Sequence, residues 1–166
     1  MKITHAMTFT AQQNSFMREA IRLSEENVRS SNGGPFGVVI VKDGVIISTG
    51  VNEVTRHNDP TAHAEINAIR AACRVLGTFS LEGCEIYSSC EPCPMCLGAI
   101  YWARPSALFF ANTQQDAAAI QFDDQFIYQE IARSHADRRL PTYQMLRDEA
   151  LQAFRLWKDD ETKLAY

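Results

Sequence analysis

Two short segments of the sequence carry side chains that could hold a metal ion and move a proton. The first is His63-x-Glu65 and the second is Cys93-x-x-Cys96, and each lies at the predicted start of a helix. Helices that follow the strands of a parallel sheet begin at the carboxyl edge of that sheet, which is the usual ligand crevice. The two helix starts can therefore meet there, although the segments are far apart along the chain.

The residue types in these segments match the ligands of a catalytic zinc ion. One imidazole and two thiolates leave a fourth tetrahedral position open for water, whereas structural zinc sites are closed by four protein ligands. Water in that position is easier to deprotonate than bulk water. Because Cys93 and Cys96 are three residues apart, both sulfurs point to one side of the first helical turn. The partial positive charge of a helix N-terminus favours their thiolate form there.

Glu65 lies two positions after His63, too close in sequence to be an obvious fourth ligand but near enough to reach bound water. Its predicted role is to take a proton from that water and deliver it to a substrate. The order H-x-E followed by P-C-x-x-C resembles the signature of the zinc-dependent nucleobase deaminases.

The same residues have simpler interpretations. A lone His-x-Glu is more often a solvated helix start, and a lone Cys-x-x-Cys is often a structural zinc site or a redox pair. With Cys90, the two ligand cysteines also form C-x-x-C-x-x-C, which is typical of iron–sulfur sites. The bacterial cluster motif needs a fourth cysteine four positions later, where this chain has Ile100. Cys90 is therefore predicted to be a buried thiol beside the site.

The composition is that of an ordinary folded protein. The chain has 166 residues, of which 46% are hydrophobic and 22% charged, and this excludes intrinsic disorder and collagen-like architectures. A chain of this length buries roughly 70% of its unfolded surface, enough for one core, so we predict one domain over residues 1–166. No apolar stretch approaches the ~20 residues that span a bilayer, and the first residues lack a secretory segment. We expect a cytoplasmic protein with no membrane partner.

The charge and the cysteine count limit the partners further. Sixteen Lys and Arg against twenty Asp and Glu give a net charge of −4. Proteins that hold nucleic acid need a basic face, and no basic run appears here, so no nucleic-acid partner is expected. Five cysteines in a chain without a secretion signal do not suggest a disulfide framework. Cys73 and Cys84 are predicted to be core residues.

Hydrophobic patterning and turn residues predict the elements that position these segments. Helical spacing over residues 16–28 predicts an amphipathic helix. Two β-branched runs, at 36–41 and 45–48, are joined by Asp43-Gly44 and predict a hairpin. Asp59 followed by Pro60 is a helix-start signature, so the helix that carries Glu65 is predicted to begin there. Its predicted end is Gly77.

The second half of the chain alternates strands and helices. Strands are predicted at 85–89, 107–111 and 142–146, and helices at 94–103, at 126–132 and from about 149 onward. This alternation after a hairpin implies an α/β fold with a mainly parallel sheet and helices on both faces. The loop over 112–125 is long for a compact domain, and such loops are often active-site elements.

Four segments extend the resemblance to one family, the bacterial guanine deaminases of the cytidine deaminase superfamily. They are residues 33–37, 58–65, 88–105 and 122–128. The zinc motif is shared by the whole superfamily, whereas Trp-Ala-Arg-Pro at 102–105 and Phe-Asp-Asp at 122–124 resemble the guanine branch. The resemblance implies a three-layer α/β/α sandwich around a mixed five-stranded sheet, with one Zn²⁺ per subunit.

The resemblance also implies a set of residues that bind a purine base. Asn52 would hydrogen-bond the purine, Asp124 would contact its polar edge, and two aromatic rings would line or stack on it. Taken alone, these side chains could equally be turn, solvated or core residues. In the family, the closing segment crosses from the partner subunit of a domain-swapped homodimer. The implied purine-binding residues are Phe36, Asn52, Ala64, Trp102, Asp124 and Tyr166.

The implied function is hydrolytic deamination of guanine to xanthine and ammonia, with Glu65 protonating the ring nitrogen and then the leaving amine. One alternative is a tRNA-specific adenosine deaminase, which would need basic residues to grip an anticodon stem-loop. The tail here has two lysines against three acidic residues over 158–163. Deamination of cytosine, cytidine, deoxycytidylate, a triazine or a modified purine stays open. A non-catalytic zinc module is a further alternative, but such a module has no need of Glu65.

Overall fold

The computed structural model describes residues 8–122 and 124–166. The chain divides into two compact units, the first ending at Gln125 and the second running from Phe126 to Tyr166. The predicted α/β architecture belongs to the first unit. That residues 1–166 form one domain stays a prediction.

The described residues form one sheet of four strands in the order β2-β1-β3-β4. The strands are β1 (Gly37–Lys42), β2 (Val45–Val51), β3 (Cys84–Cys90) and β4 (Ala107–Asn112). β1 pairs antiparallel with β2 and with β3, and β3 pairs parallel with β4. The prediction of a mainly parallel sheet is therefore wrong, because the hairpin supplies half of the strands. The mixed sheet that the resemblance implied is correct.

The predicted fifth strand, over residues 142–146, is absent among the described residues, where this segment has no regular secondary structure. Its alternating apolar side chains, such as Tyr143 and Met145, are exposed. The described residues of the second unit contain no strand, so the segment has no edge within its own unit to pair with. A strand forms only where its amide and carbonyl groups find partners on a neighbouring strand.

The hairpin forms as the turn residues predict. Asp43 and Gly44 both adopt positive φ, at 51° and 75°, as the tight hairpin turns that match strand twist require. β1 is one of the two inner strands of this sheet and is apolar along most of its length. Val38 and Ile40 face one side of the sheet, and Val39 and Val41 face the other. This alternation lets β1 carry helices on both of its faces.

Those helices make the three predicted layers. On one face, α1 (Ala11–Arg29) packs Ala20 against the sheet beside Tyr87. On the other face, α3 (Ala64–Leu76) and α4 (Pro94–Ala103) pack Ala68 and Ile100 against it. The α/β/α sandwich is confirmed for the first unit. Cys84 is buried in the second of these cores and Cys73 packs against it, as predicted.

The helix that carries Glu65 begins later than predicted. Asp59 does not cap a helix, because its carboxylate accepts hydrogen bonds from the Thr61 amide at 2.8 Å and the Thr61 hydroxyl at 2.7 Å. This closes a turn that delays α3 until Ala64 and leaves His63 as its N-cap residue. The predicted C-terminal stop is correct, since Gly77 ends α3 with a φ of 66°.

Four further α-helices and one 3₁₀ turn complete the described chain. The short helix α2 (Val54–His57) lies where a polar loop is predicted, and α5 (Gln114–Ala119) lies within the long 112–125 loop. The predicted helices near the C-terminus are α6 (Gln125–Ala132) and α7 (Arg147–Asp159), with one 3₁₀ turn between them. No helix of the described residues combines the length and the apolarity needed to cross a bilayer.

Candidate metal centre and cavity

Two helix N-termini bring the predicted metal ligands together. His63 is the N-cap residue of α3, and Cys93 is the N-cap residue of α4, with Cys96 in the first turn. Both N-cap residues have extended backbone, and Pro94 at the first helical position preorganises α4. Neither side chain makes an N-cap hydrogen bond to its helix. The imidazole and the sulfurs contact one another instead, as a group of metal ligands does.

The three ligand atoms lie at the separations that tetrahedral zinc demands. His63 Nδ1 is 3.6 Å from Cys93 Sγ and 3.5 Å from Cys96 Sγ. Typical Zn–N and Zn–S bond lengths at tetrahedral angles place nitrogen and sulfur about 3.6 Å apart. All three atoms lie within 4.8 Å of one another. The residues present fit a zinc ion with three protein ligands.

The electrostatics of the sulfur pair favour metal binding. A hydrogen bond from the Cys96 thiol, helped by the His63 imidazole, lowers the pKa of Cys93 to about 4. The proton that the two sulfurs share raises the pKa of Cys96. The hydrogen bond to Cys93 also raises the pKa of His63. Zinc binds the thiolate, so the lowered pKa of Cys93 favours its role as a ligand.

Glu65 lies in the first turn of α3, beside the ligand group. It is only 6% exposed, and burial raises the pKa of its carboxyl. Hydrogen bonds from its own backbone and from the Cys96 thiol oppose that effect. A buried carboxyl whose pKa is moved toward neutrality can both accept and return a proton, as the predicted role requires.

A cavity of about 380 Å³ opens over these residues. Of the predicted site residues, those that line it are Phe36, Asn52, His63, Glu65, Cys93 and Asp124. Cys96 is fully buried and is not part of the lining, and Ala64 is buried in the core. Trp102 lies on α4, is 66% exposed and is not part of the lining. Tyr166 belongs to the second unit, so the contacts predicted for it and for Trp102 stay predictions.

The lining also includes residues that the sequence did not single out for binding. Gly34 and Phe122 lie inside the segments that carry the family resemblance, so the same motifs could have identified them. Val54 and Thr55 belong to α2, a helix that no sequence signal marked. The full set of additional lining residues is Gly34, Val54, Thr55, Cys90, Glu91, Ala117, Gln121 and Phe122.

The carboxamide of Asn52 has a defined orientation. Its Oδ1 accepts hydrogen bonds from the backbone amides of Gly34 at 3.3 Å and of Val54 at 3.4 Å. The amide NH₂ group is the remaining polar end of this cavity-lining side chain. Asn52 therefore offers donors, which suit a nitrogen or oxygen acceptor on a ligand.

Aromatic residues form another part of the wall. The rings of Phe36 and Phe122 meet edge to face, with centroids 5.0 Å apart. Gly34 allows this approach, because a Cβ there would lie 3.2 Å from Phe122 and 3.3 Å from Phe36. The pair gives the cavity an apolar surface of the kind on which a planar ring packs.

Two residues between the body of β3 and α4 hold the start of the 112–125 segment beside the cavity. The Cys90 thiol donates to the Thr113 carbonyl at 3.7 Å. The carboxylate of Glu91 accepts from the Gln114 backbone amide at 3.1 Å and from its side-chain amide at 3.3 Å. Burial raises the pKa of Cys90 to about 11, so its thiol stays protonated. Cys90 is the buried thiol beside the site that the sequence predicts.

Comparison with known proteins places this geometry in a family. The model of the cytidine and deoxycytidylate deaminase zinc-binding region matches residues 10–112, which contain both ligand segments. The chain belongs to that family. The α/β fold and the His-Cys-Cys group are those expected of its members.

Individual members of this deaminase family match this chain over different lengths. The guanine deaminase of Bacillus subtilis is 54% identical over 152 residues, covering 92% of this chain and 97% of its own. Its crystal structure superposes with a TM-score of 0.90. The tRNA-specific adenosine deaminase of Aquifex aeolicus is 46% identical over 98 residues, which cover 58% of this chain and 63% of that protein. The resemblance to bacterial guanine deaminases is confirmed.

A neighbouring crystal structure contains a purine. The protein named NE0047, in complex with 2,6-diaminopurine, is 32% identical, with a TM-score of 0.65. The match covers 73% of this chain and 67% of that one.

Proposed function

We propose that this chain catalyses the hydrolytic deamination of guanine to xanthine and ammonia. The observation that carries the proposal is one cavity that joins His63 and Cys93, a buried carboxyl at Glu65, and the donor end of Asn52. The extent and identity of the match to the Bacillus subtilis guanine deaminase support guanine as the substrate.

His63, Cys93 and Cys96 would hold one zinc ion per subunit. When bound, zinc supplies a Lewis acid that lowers the pKa of a coordinated water molecule. The three ligands come from two helix N-termini, whose partial positive charge helps to keep both sulfurs as thiolates.

Glu65 would carry the protons. It would accept one proton from the attacking water and donate it to the ring nitrogen beside the reacting carbon. It would then take the second proton of that water, from the hydroxyl now bonded to the carbon, and donate it to the amine, which leaves as ammonia while the carbonyl forms. The overall reaction adds one water and releases one ammonia, so Glu65 ends in its starting state. Its burial keeps bulk water from competing for these protons.

The rest of the cavity would orient the base. Asn52 donates to a purine acceptor, Asp124 accepts from the polar edge, and Phe36 with Phe122 packs on the ring. Contacts that are in place before the base binds hold it in the orientation that the reaction needs.

The charge of the cavity supports a free base over a nucleotide or a tRNA loop. Among the described residues, no lysine or arginine lines it, whereas Glu65, Glu91 and Asp124 do. A phosphate-bearing substrate needs cationic groups near the reacting base. The acidic lining suits a neutral base that carries amino and ring N–H donors.

We further propose that the enzyme is a cytoplasmic homodimer in which the C-terminal segment of one subunit covers the cavity of the other. In this arrangement Tyr166 closes the pocket, and Trp102 and Ala64 contribute to the purine site. The proposal rests on the family resemblance. Light scattering gives the subunit number, and deletion of Tyr166 should raise the KM for the base without changing the zinc content.

The deciding experiment measures the steady-state kinetics of the zinc-loaded protein with guanine, adenine, cytosine and cytidine. Formation of xanthine and stoichiometric ammonia from guanine is expected, and activity should vanish on chelation and return with zinc. No turnover of guanine would overturn the proposal. A salt-sensitive shift with tRNA, together with inosine formation, would instead support the adenosine deaminase alternative.

A further inference from the structure

Asn27 is a buried polar residue that the proposed reaction does not use. It lies near the end of α1, is 3% exposed and does not line the cavity. Burying an asparagine side chain costs desolvation free energy unless hydrogen bonds within the protein compensate for it. Its partners are the backbone carbonyls of Gly34 and Asn52, at 2.8 Å and 2.9 Å from its side-chain nitrogen.

The two hydrogen bonds settle which end of the carboxamide faces these carbonyls. Only the NH₂ group can donate to both, because the opposite orientation would place an oxygen against two carbonyl oxygens. The Asn27 Oδ1 is buried and has no hydrogen-bond partner among the residues that the structure describes. The side chain therefore satisfies two neighbours while its own acceptor stays unsatisfied. That imbalance favours a specific role for its donors over general packing.

The two carbonyls belong to residues that build the cavity wall. Gly34 and Asn52 both line the cavity, and the Gly34 amide donates in turn to Asn52 Oδ1 at 3.3 Å. The glycine loop lies close to the Asn52 backbone, since a Cβ at Gly33 would lie 2.2 Å from the Asn52 carbonyl oxygen. Asn27 thus joins the glycine loop to Asn52, the residue that follows β2, through two hydrogen bonds.

We infer that Asn27 is a positioning residue that sets the donor direction of Asn52 and so the affinity for the base. The inference rests on the proposed function, because it concerns how the same cavity orients its substrate. Asn27 touches neither the metal ligands nor Glu65 in its hydrogen bonds, so it acts on binding and not on the proton transfers.

The test compares Asn27→Ala and Asn27→Ser with Ser24→Ala. Ser24 is also a buried polar residue of α1, but its hydroxyl bonds only to Ile21 of the same helix, at 2.7 Å. Both Asn27 variants should raise the KM for guanine by about tenfold or more while kcat changes by less than about threefold. Their zinc content should equal that of the wild type. Ser24→Ala should leave KM, kcat and zinc content unchanged.

A double-mutant cycle with Asn52→Ala separates positioning from general damage. If Asn27 acts through Asn52, the Asn27→Ala/Asn52→Ala variant has the KM of Asn52→Ala alone, because no carboxamide remains to be oriented. An unchanged KM in the single variants would overturn the inference. So would additive effects in the cycle, or a parallel loss of kcat and zinc in both variants.

Failure of the proposed function gives a different result. In that case the wild-type protein does not turn over guanine. If only the Asn27 inference fails, the wild type turns over guanine and the Asn27 variants do not show the selective rise in KM. If the wild type deaminates another base, the same KM comparison is made with that base.

Discussion

The imidazole Nδ1 of His63 lies 3.6 Å from Cys93 Sγ, although thirty residues separate them along the chain. The intervening residues include α3 and β3, which contribute buried side chains to the same core in the first unit and return the chain to the same edge of the sheet. The metal centre is thus a product of the αβα packing. Changes to that packing should disturb the centre even when no ligand is touched.

The ligand assignment predicts a sharp difference among three cysteines of one segment. Cys93→Ser and Cys96→Ser should lose bound zinc and activity, because a serine hydroxyl is a much poorer zinc ligand than a thiolate. Cys90→Ser is the matched control, since Cys90 is also buried and lines the cavity, but its thiol bonds to Thr113. Elemental analysis of the purified variants measures zinc per subunit. Full zinc in Cys93→Ser, or none in Cys90→Ser, contradicts the assignment.

Glu65→Gln should separate chemistry from metal binding. The amide keeps the shape of the side chain but cannot carry a proton, so kcat should fall by about 10²–10⁴-fold. Zinc content and the unfolding midpoint should stay near those of the wild type, because replacing a buried carboxyl by a neutral amide adds no desolvation cost. Steady-state kinetics and metal analysis on one preparation check both. Glu82→Gln, at an exposed loop position, is the control. A Glu65→Gln variant with near-normal kcat removes Glu65 from the mechanism.

Phe122→Ala should weaken substrate binding without affecting the metal. The ring lines the cavity beside Phe36, and an aromatic contact between it and a planar base is worth about 0.5–1.5 kcal/mol. We expect KM to rise about three- to tenfold at unchanged zinc content. Phe110→Ala is the control, because Phe110 is similarly exposed (45% against 44%) but lies on β4 outside the lining. Equal KM values for the two variants would argue against a substrate contact at Phe122.

A glycine pair tests the coupling between packing and the metal centre. A Cβ at Gly50 would lie 2.2 Å from the Ala64 carbonyl oxygen, so Gly50→Ala should force β2 and α3 apart at a cost of about 1–3 kcal/mol. Because Ala64 follows His63, activity should fall as well. A Cβ at Gly98, in the interior of α4, would meet no atom of the described residues within 4 Å apart from its own helix turn, so Gly98→Ala should stabilise by roughly 0.5–1 kcal/mol. Denaturant unfolding measures the change in the free energy of unfolding for both variants. A Gly50→Ala protein as stable as wild type contradicts the close packing described here.

The parts of the fold that were predicted correctly depend on local signals. The hairpin follows from Asp43-Gly44, where two positive φ angles are needed within two residues, and the end of α3 follows from Gly77. The start of α3 was predicted wrongly because Asp59-Pro60 suits a turn as well as a helix cap. The Thr61 side chain, which the helix-start pattern ignores, decides between the two.

The prediction of a strand at 142–146 was wrong for a related reason. Alternation along one segment shows that a strand would have an apolar face, but pairing requires a second strand at the right distance. The described residues of the second unit offer none. Periodicity within a segment carries no information about its neighbours.

The sequence by itself determined the candidate ligand set and the order of its two segments, and it predicted Glu65 as the proton carrier and Cys90 as a buried thiol, because each depends on residue type and short spacing. Only the tertiary structure decided that two helix N-termini meet at zinc-binding distance, and that Asn52 turns its donor end away from Gly34 and Val54. It also decided that Asn27 supports that wall and that Trp102 does not line this cavity. These relationships join residues far apart in the chain, and they arise from the packing of helices on a sheet, which no local pattern encodes.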